Sequence, residues 1–244
     1  MLILVSILLG YLWILSVSFF FDPKVRGFSK YAWARSIYHL IGLSAVKMCV
    51  AVGLTIIGAL LSKCTLIPVL GLAGFRFDWT STWKGLIAAL GFWTLHTICA
   101  VILRGFGSRS LEQKSVGRPE ETVVSMLPGR WLPLLGTFAL ISLEAGMLEE
   151  FFFRGIMQSN FYDTVSPVLA AVLVALLFGI AHFYQRMRGM VETFILGLWL
   201  GFAFVAAENL FVPVFGHVMG NFLCMVVGAR EMVARRKTLR VSSE

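Results

Sequence analysis

Charge is scarce in this 244-residue chain: 14% of its residues are Asp, Glu, Lys or Arg, against 58% hydrophobic ones. A soluble domain of this length carries about 25% charged and about 45–50% apolar residues, so an ordinary water-soluble globule is excluded. Disorder is excluded too, because 21 Phe and 7 Trp come with too few charges to keep them solvated. Cysteine is also sparse. Cys49, Cys64, Cys99 and Cys224 form no C-x-x-C pair and lie mostly in apolar stretches, so they suggest neither a zinc knuckle nor a disulfide framework and read as small core residues. Internal repeats and low-complexity linkers are missing. So are G-x-S-x-G and H-E-x-x-H, which leaves no recognisable side-chain nucleophile and no zinc-protease helix.

What the chain has in quantity is hydrophobic length, with a mean hydropathy of +0.84. A helix needs about 20 apolar residues to cross the hydrocarbon core. Spans are predicted at Leu2 to Phe21, Ile37 to Leu61, Trp83 to Leu103, Leu132 to about Gln158, Val165 to Phe183, Met190 to Ala207 and Leu210 to Gly228. Thr65 to Gly74 is apolar but broken by Pro68, Gly71 and Gly74, and would add an eighth, re-entrant piece. The expected fold is therefore all-α, a polytopic transmembrane bundle of about 7–8 spans forming one domain over 1–244. Leu2 to Phe21 has no cationic stretch before it; Ser16-Val17-Ser18 resembles a cleavage site, but the length of the run favours a retained anchor.

The net charge of +8 marks orientation and not nucleic acid. Lys24, Arg26, Lys30 and Arg35 lie between the first two spans; Arg104, Arg109, Lys114, Arg118 and Arg130 lie between the third and fourth. Arg186 and Arg188 follow the fifth, and the tail carries Arg230, Arg235, Arg236, Lys237 and Arg240. The alternate loops hold only Lys63, Arg76 and Lys84. By the positive-inside tendency the N-terminus is outside and the C-terminus cytoplasmic. Gly197 and Gly201, four apart, would let the sixth span approach a neighbour closely.

Ionisable groups inside apolar helices cost about 2.5–3.5 kcal/mol each, so they ask for a partner or a task. The segment Leu148-Glu149-Glu150-Phe151-Phe152-Phe153-Arg154 holds two acids and one cation. Glu150 and Arg154, four apart, fall on one face and can pair. Glu149 points about 100° away and is left for something else, as a general base would be. His182 ends Phe178-Gly179-Ile180-Ala181-His182, and His217 begins His217-Val218-Met219-Gly220-Asn221. Asn221, one turn on from His217, points the same way, and Gly179 and Gly220 leave room for a substrate backbone. His96, with no polar companion at helical spacing, reads as a packing residue. A carboxylate, two imidazoles and an amide are the parts needed to activate water and hold an oxyanion.

Glu149-Glu150-x-x-x-Arg154, Phe178-x-x-x-His182 and His217-x-x-x-Asn221, in this order on successive apolar helices, resemble the motifs of the CPBP (Abi) family of intramembrane glutamic proteases. That family includes the type II CAAX prenyl endopeptidases and bacteriocin-processing or immunity proteins. The resemblance covers about Leu148 to Asn221, and nothing before Leu132 adds to it. It implies that Glu149 activates water with help from His182, that His217 and Asn221 hold the oxyanion, and that Glu150 and Arg154 support them. It implies no cofactor, a multi-pass protein of a bacterial or archaeal cell membrane, and a membrane-associated or prenylated peptide as substrate. Glu144 is a third acid without an assigned role.

One expectation conflicts with another. Counted from the outer ends of their spans, Glu149 and His217 lie about 10–14 Å deep and His182 about 25 Å. Tilt, or a fourth helix starting later than Leu132 because of Pro128, Gly129 and Pro133, would close the gap. Three other functions compete: a non-catalytic scaffold or immunity protein of the same fold, a proton-coupled transporter, and a metal site of Glu149, His182 and His217. Crowding of the polar residues into one half argues against transport, and Asn221 argues for the oxyanion role over the metal.

Overall fold

The computed structural model describes residues 2–20, 37–70, 74–105, 128 and 130–241. These residues are all helix and connection, with no strand among them. The helices are α1 (Leu2–Phe20), α2 (Ile37–Leu61), the single turn α3 (Leu66–Val69), α4 (Trp79–Gly105), α5 (Trp131–Phe161), α6 (Pro167–Ala181), α7 (Arg186–Ala207) and α8 (Phe211–Val241). Five of them, α2, α4, α5, α7 and α8, are long and apolar enough to span a membrane; α1 and α6 are apolar but shorter. The chain is an integral membrane protein. The expected eighth piece is only the turn α3. Of the basic loop clusters, Lys24 to Arg35 and Arg109 to Arg118 lie outside the described residues.

Local chemistry sets the helix ends. Asp78 caps α4, its Oδ1 accepting the Ser81 N–H at 2.7 Å, so the helix begins four residues before the expected Trp83. Ser166 caps α6 with Pro167 in the first turn, its Oγ accepting the Leu169 N–H at 3.3 Å. Between α6 and α7 the chain reverses within a 3₁₀ turn, Phe183–Gln185, and Arg186 takes φ 65° and ψ −179°, a backbone region that normally belongs to glycine.

Lipid offers apolar side chains no reason to leave it, so the bundle is held by close packing. At Gly10 a Cβ would lie 3.0 Å from Ala51 O, which brings α1 onto α2. Gly197 and Gly201 meet Ala175 and Ala171, which sets α7 antiparallel on α6 as the spacing predicts. Gly216 meets Ala88 and Gly220 meets Phe92, so α8 and α4 run side by side in the same direction. The main core joins Ile7, Tyr11 and Ile14 of α1 to Met48 of α2, Phe152, Phe153 and Ile156 of α5, and Phe178 of α6. Tyr11 Oη also donates to Leu177 O at 2.9 Å, tying α1 into the bundle.

Several expectations fail here. Gly179 and Gly220 do not face a substrate: a Cβ at Gly179 would lie 2.9 Å from Met190 O, and one at Gly220 2.5 Å from the Phe92 ring, so both serve helix contact. Cys99 is buried, but Cys49, on an outward face of α2, and Cys64, in the connection after that helix, are exposed. His96 is the hydrogen-bonded packing residue expected, with its partner on another helix. It forms an ion pair with Glu192, which reaches it from α7 rather than from its own helix.

Candidate active site

α5 departs from α-geometry where its polar residues lie. Ala145–Glu149 and Phe151–Gln158 are π-helical, with bonds from i to i+5 that bring residues five apart back to one side. In an α-helix Glu144 and Glu149 would sit about 140° apart; here they are electrostatic neighbours. Gly146 allows α8 to press against this stretch, since a Cβ there would lie 2.7 Å from Val218 N.

Glu150 and Arg154 form the expected pair, Nη1 to Oε1 at 2.8 Å, with both side chains wholly buried. The second guanidinium nitrogen, Nη2, donates to Gly197 O at 2.9 Å, and one turn along Gln158 Nε2 donates to Gly201 O at 3.1 Å. The two glycines thus do more than permit packing: they expose carbonyls that receive a ladder of donors from α5. The same Glu150 oxygen also accepts from His217 Nδ1 at 2.7 Å. His217 is therefore tied to Glu150, and its Nε2 is the ring atom left for chemistry.

His182 sits just past the last turn of α6, at its C-cap, not within the helix as expected. Its Nδ1 bonds Phe178 O at 2.8 Å. A carbonyl only accepts, so Nδ1 carries the hydrogen, and in the neutral ring Nε2 is bare. That nitrogen lies 3.9 Å from Glu149 Oε1. Phe178 is the wedge between these groups: its ring centroid is 4.6 Å from that of His182 and 6.3 Å from that of His217, and the Arg154 guanidinium carbon is 4.8 Å from it. Asn221 is half-buried one turn beyond His217 and makes no hydrogen bond to another described residue.

Glu149, His182, Glu150, Arg154 and His217 are thus brought together, although the fourth helix does not start late: it begins at Trp131. α8 starts level with the segment ahead of α4. The turn before it is sunk, with Asn209 and Leu210 each 1% exposed, because the segment ahead of α4 covers it. Arg76 N–H donates to Asn209 Oδ1 at 3.0 Å, and Asn209 Nδ2 donates to Arg76 O and Ser81 Oγ. The three-ligand set of Glu149, His182 and His217 is not assembled: His217 turns to Glu150, and no three His, Cys, Asp or Glu residues among those described converge to hold a metal.

Earlier helices contribute after all. The Phe92 ring of α4 lies 5.2 Å from His217, and Ser44 and Lys47 of α2 face Glu144. No local motif announces these residues, since each meets the site only across a helix interface. Gln158 could have been found, because it continues the Glu150, Arg154 face at the next four-residue step.

Residues 131–223 match the family model of the type II CAAX prenyl endopeptidases, Rce1-like. The chain is also 24% identical over 113 residues to YdiL of Bacillus subtilis (strain 168), provisionally named a membrane peptidase. That match covers 46% of this chain and 45% of the relative's length. No solved structure matches. The resemblance carried by the three motifs therefore extends from α5 into α8, the helices that build the site.

Proposed function

We propose that this chain, similar over 131–223 to the Rce1-like type II CAAX prenyl endopeptidases, is an intramembrane endopeptidase in which Glu149 and His182 activate the attacking water. The observation that carries this reading is the 3.9 Å between Glu149 Oε1 and His182 Nε2, two acceptors when the imidazole is neutral. A water about 2.8 Å from each would span them at about 90°, close to the angle between its own O–H bonds. It donates to both and turns a lone pair outward. As that lone pair bonds the peptide carbonyl carbon, one proton passes to the Glu149–His182 pair. Collapse of the tetrahedral intermediate breaks the C–N bond and returns the proton to the leaving amine.

The oxyanion is held by His217 and Asn221. With Nδ1–H committed to the Glu150 carboxylate, His217 donates from Nε2 only as imidazolium. In that form the Glu150, Arg154, His217 group carries one net positive charge against the developing negative one, in surroundings that exclude bulk water. Glu150 and Arg154 are positioning residues. The substrate is a membrane-associated peptide, with a prenylated CAAX-type tail as the first to try.

The test is hydrolysis by detergent-purified protein of a prenylated CAAX peptide and of the same peptide without its prenyl group, alongside Glu149→Gln. Loss of about 10²–10⁴-fold in rate is expected. Cleavage by Glu149→Gln at the wild-type rate overturns the mechanism.

A further inference from the structure

Away from the polar site, on the half of the bundle that holds the start of α4 and the end of α7, lies a cavity of about 340 Å³ between α4, α7 and α8. Its wall is apolar: Ile87, Trp199, Phe202, Ala203 and Ala206 line it, and Lys84 is its one charged residue. Ile87 and Phe202 are 61% and 40% exposed, so the cavity opens outward between the helices, where the bilayer is. We propose that it is a binding site for one phospholipid with an anionic headgroup, its acyl chain in the groove and its phosphate at Lys84.

The floor is built. The Nε1 edge of the Trp199 indole meets α4 where Gly91 has no side chain; a Cβ there would lie 2.1 Å from Cζ2. Trp199 Nε1 then donates to Ala88 O at 2.8 Å, which fixes the ring as the end of the groove and leaves no polar atom of it facing the lumen. From Trp199 to Ala207 the groove runs about 12 Å along α7, close to the about 15 Å of hydrocarbon in one leaflet. Only a hydrocarbon chain fits such a lining at that depth.

Charge selects the headgroup. Lys84 is exposed and lies five residues into α4. A helical side chain points back toward the N-terminus, so its ammonium snorkels toward the start of α4. There Trp79 and Trp83, 73% and 52% exposed, mark the headgroup level as interfacial aromatics do. Arg76, Asp78 and Glu208 lie near the same end, but of the charged residues Lys84 alone lines the cavity. A neutral isoprenoid chain would fill the groove but leave that positive charge unanswered; an anionic phospholipid answers both.

The full chain is reconstituted in phosphatidylcholine nanodiscs, and Trp199 quenching is read as wild type minus Trp199→Phe. Phosphatidylglycerol and phosphatidylcholine carrying the same brominated acyl chains are compared at equal mole fraction. Quenching several-fold stronger by the glycerol lipid is expected, falling to the level of the choline lipid in Lys84→Met and lost for both in Ala206→Phe. Equal quenching by the two lipids in wild type overturns the site. So does a preference that survives Lys84→Met, because the headgroup then lies elsewhere. Stronger quenching by a brominated isoprenoid gives the groove to a prenyl chain, and protection from every probe together with a dimer on cross-linking gives it to a second copy; either result overturns the proposal.

Discussion

Glu149 and Glu150 are consecutive acids on one helix, yet one stands in a locked core and the other at its edge. Glu150 is wholly buried and engages Arg154 and His217 through one oxygen. The Glu149 side chain keeps 13% of its surface, with His182 Nε2 at 3.9 Å and Glu144 as an electrostatic neighbour. A turn of about 100° separates them. The difference teaches that a buried acid with two donors on one oxygen is held in place, while one facing another acceptor needs a third body, a water, between them. The first is structure that aims His217; the second is where the chemistry is proposed.

The sharpest way to break this contrast is to remove each carboxylate's charge in turn. Glu149→Gln should cost about 10²–10⁴-fold in peptide hydrolysis and leave the unfolding midpoint nearly unchanged. Glu150→Gln should lower both, because it leaves Arg154 charged in the core. If Glu149→Gln destabilises the protein as much as Glu150→Gln, the two acids are one structural cluster.

Arg154 gives the next largest effect. Arg154→Met strands a buried carboxylate and is expected to cost about 3–5 kcal/mol, measured by reversible unfolding in mixed micelles. Adding Glu150→Leu should restore much of that loss, because a pair replaced by apolar groups leaves no orphan charge. Restored stability without restored activity would separate the holding role from the aiming one. Failure of the double variant to regain stability would mean that the Gly197 carbonyl and His217, both left without their partner, dominate.

Gly197 tests how finely the core is set. A Cβ at this position would lie 3.0 Å from Phe178 Cδ1 and 3.4 Å from Arg154 Nη2. Gly197→Ala therefore pushes the wedge between the two histidines and is expected to cost about 1–3 kcal/mol, with lowered activity. Gly201→Ala, whose Cβ would meet Ala171 Cβ and Gln158 Oε1 at 3.3 Å, should cost less in both. Equal effects on activity would remove Phe178 from its proposed place.

Much of this was legible in the chain. Length and hydropathy give six of the seven long helices within four residues at each end, while α8 runs on from the expected Gly228 to Val241; the i, i+4 rule gives the Glu150–Arg154 pair. Periodicity is local, however, and what escaped it is not. The π turns that bring Glu144 beside Glu149 depend on α8 pressing in at Gly146. The His217–Glu150 bond spans 67 residues, and the His96–Glu192 pair joins two helices. Gly179 and Gly220 looked like openings because a missing side chain reads the same whether a substrate or a neighbouring helix fills the space.

A third acid, outside the spans, supplies the smallest expected effect and a control for the other two. Asp78 faces water at the start of α4; the backbone N–H of Ser81, then its side chain, with Arg76 and Lys84 nearby, hold its carboxyl below the ordinary aspartate value. A folded-state value below the unfolded one means that the unfolded chain takes up the proton first as pH falls. The stabilisation is complete above the unfolded value, near pH 4, and is lost as pH drops through the lowered folded one. Asp78→Ala should thus be slightly less stable than wild type at pH 7, and the gap in unfolding midpoint should narrow below about pH 4. A gap that stays constant to pH 3 would assign the cap to the shape of the side chain and not to its charge. Carboxylate behaviour in this protein would then be set by packing even where water is free to enter.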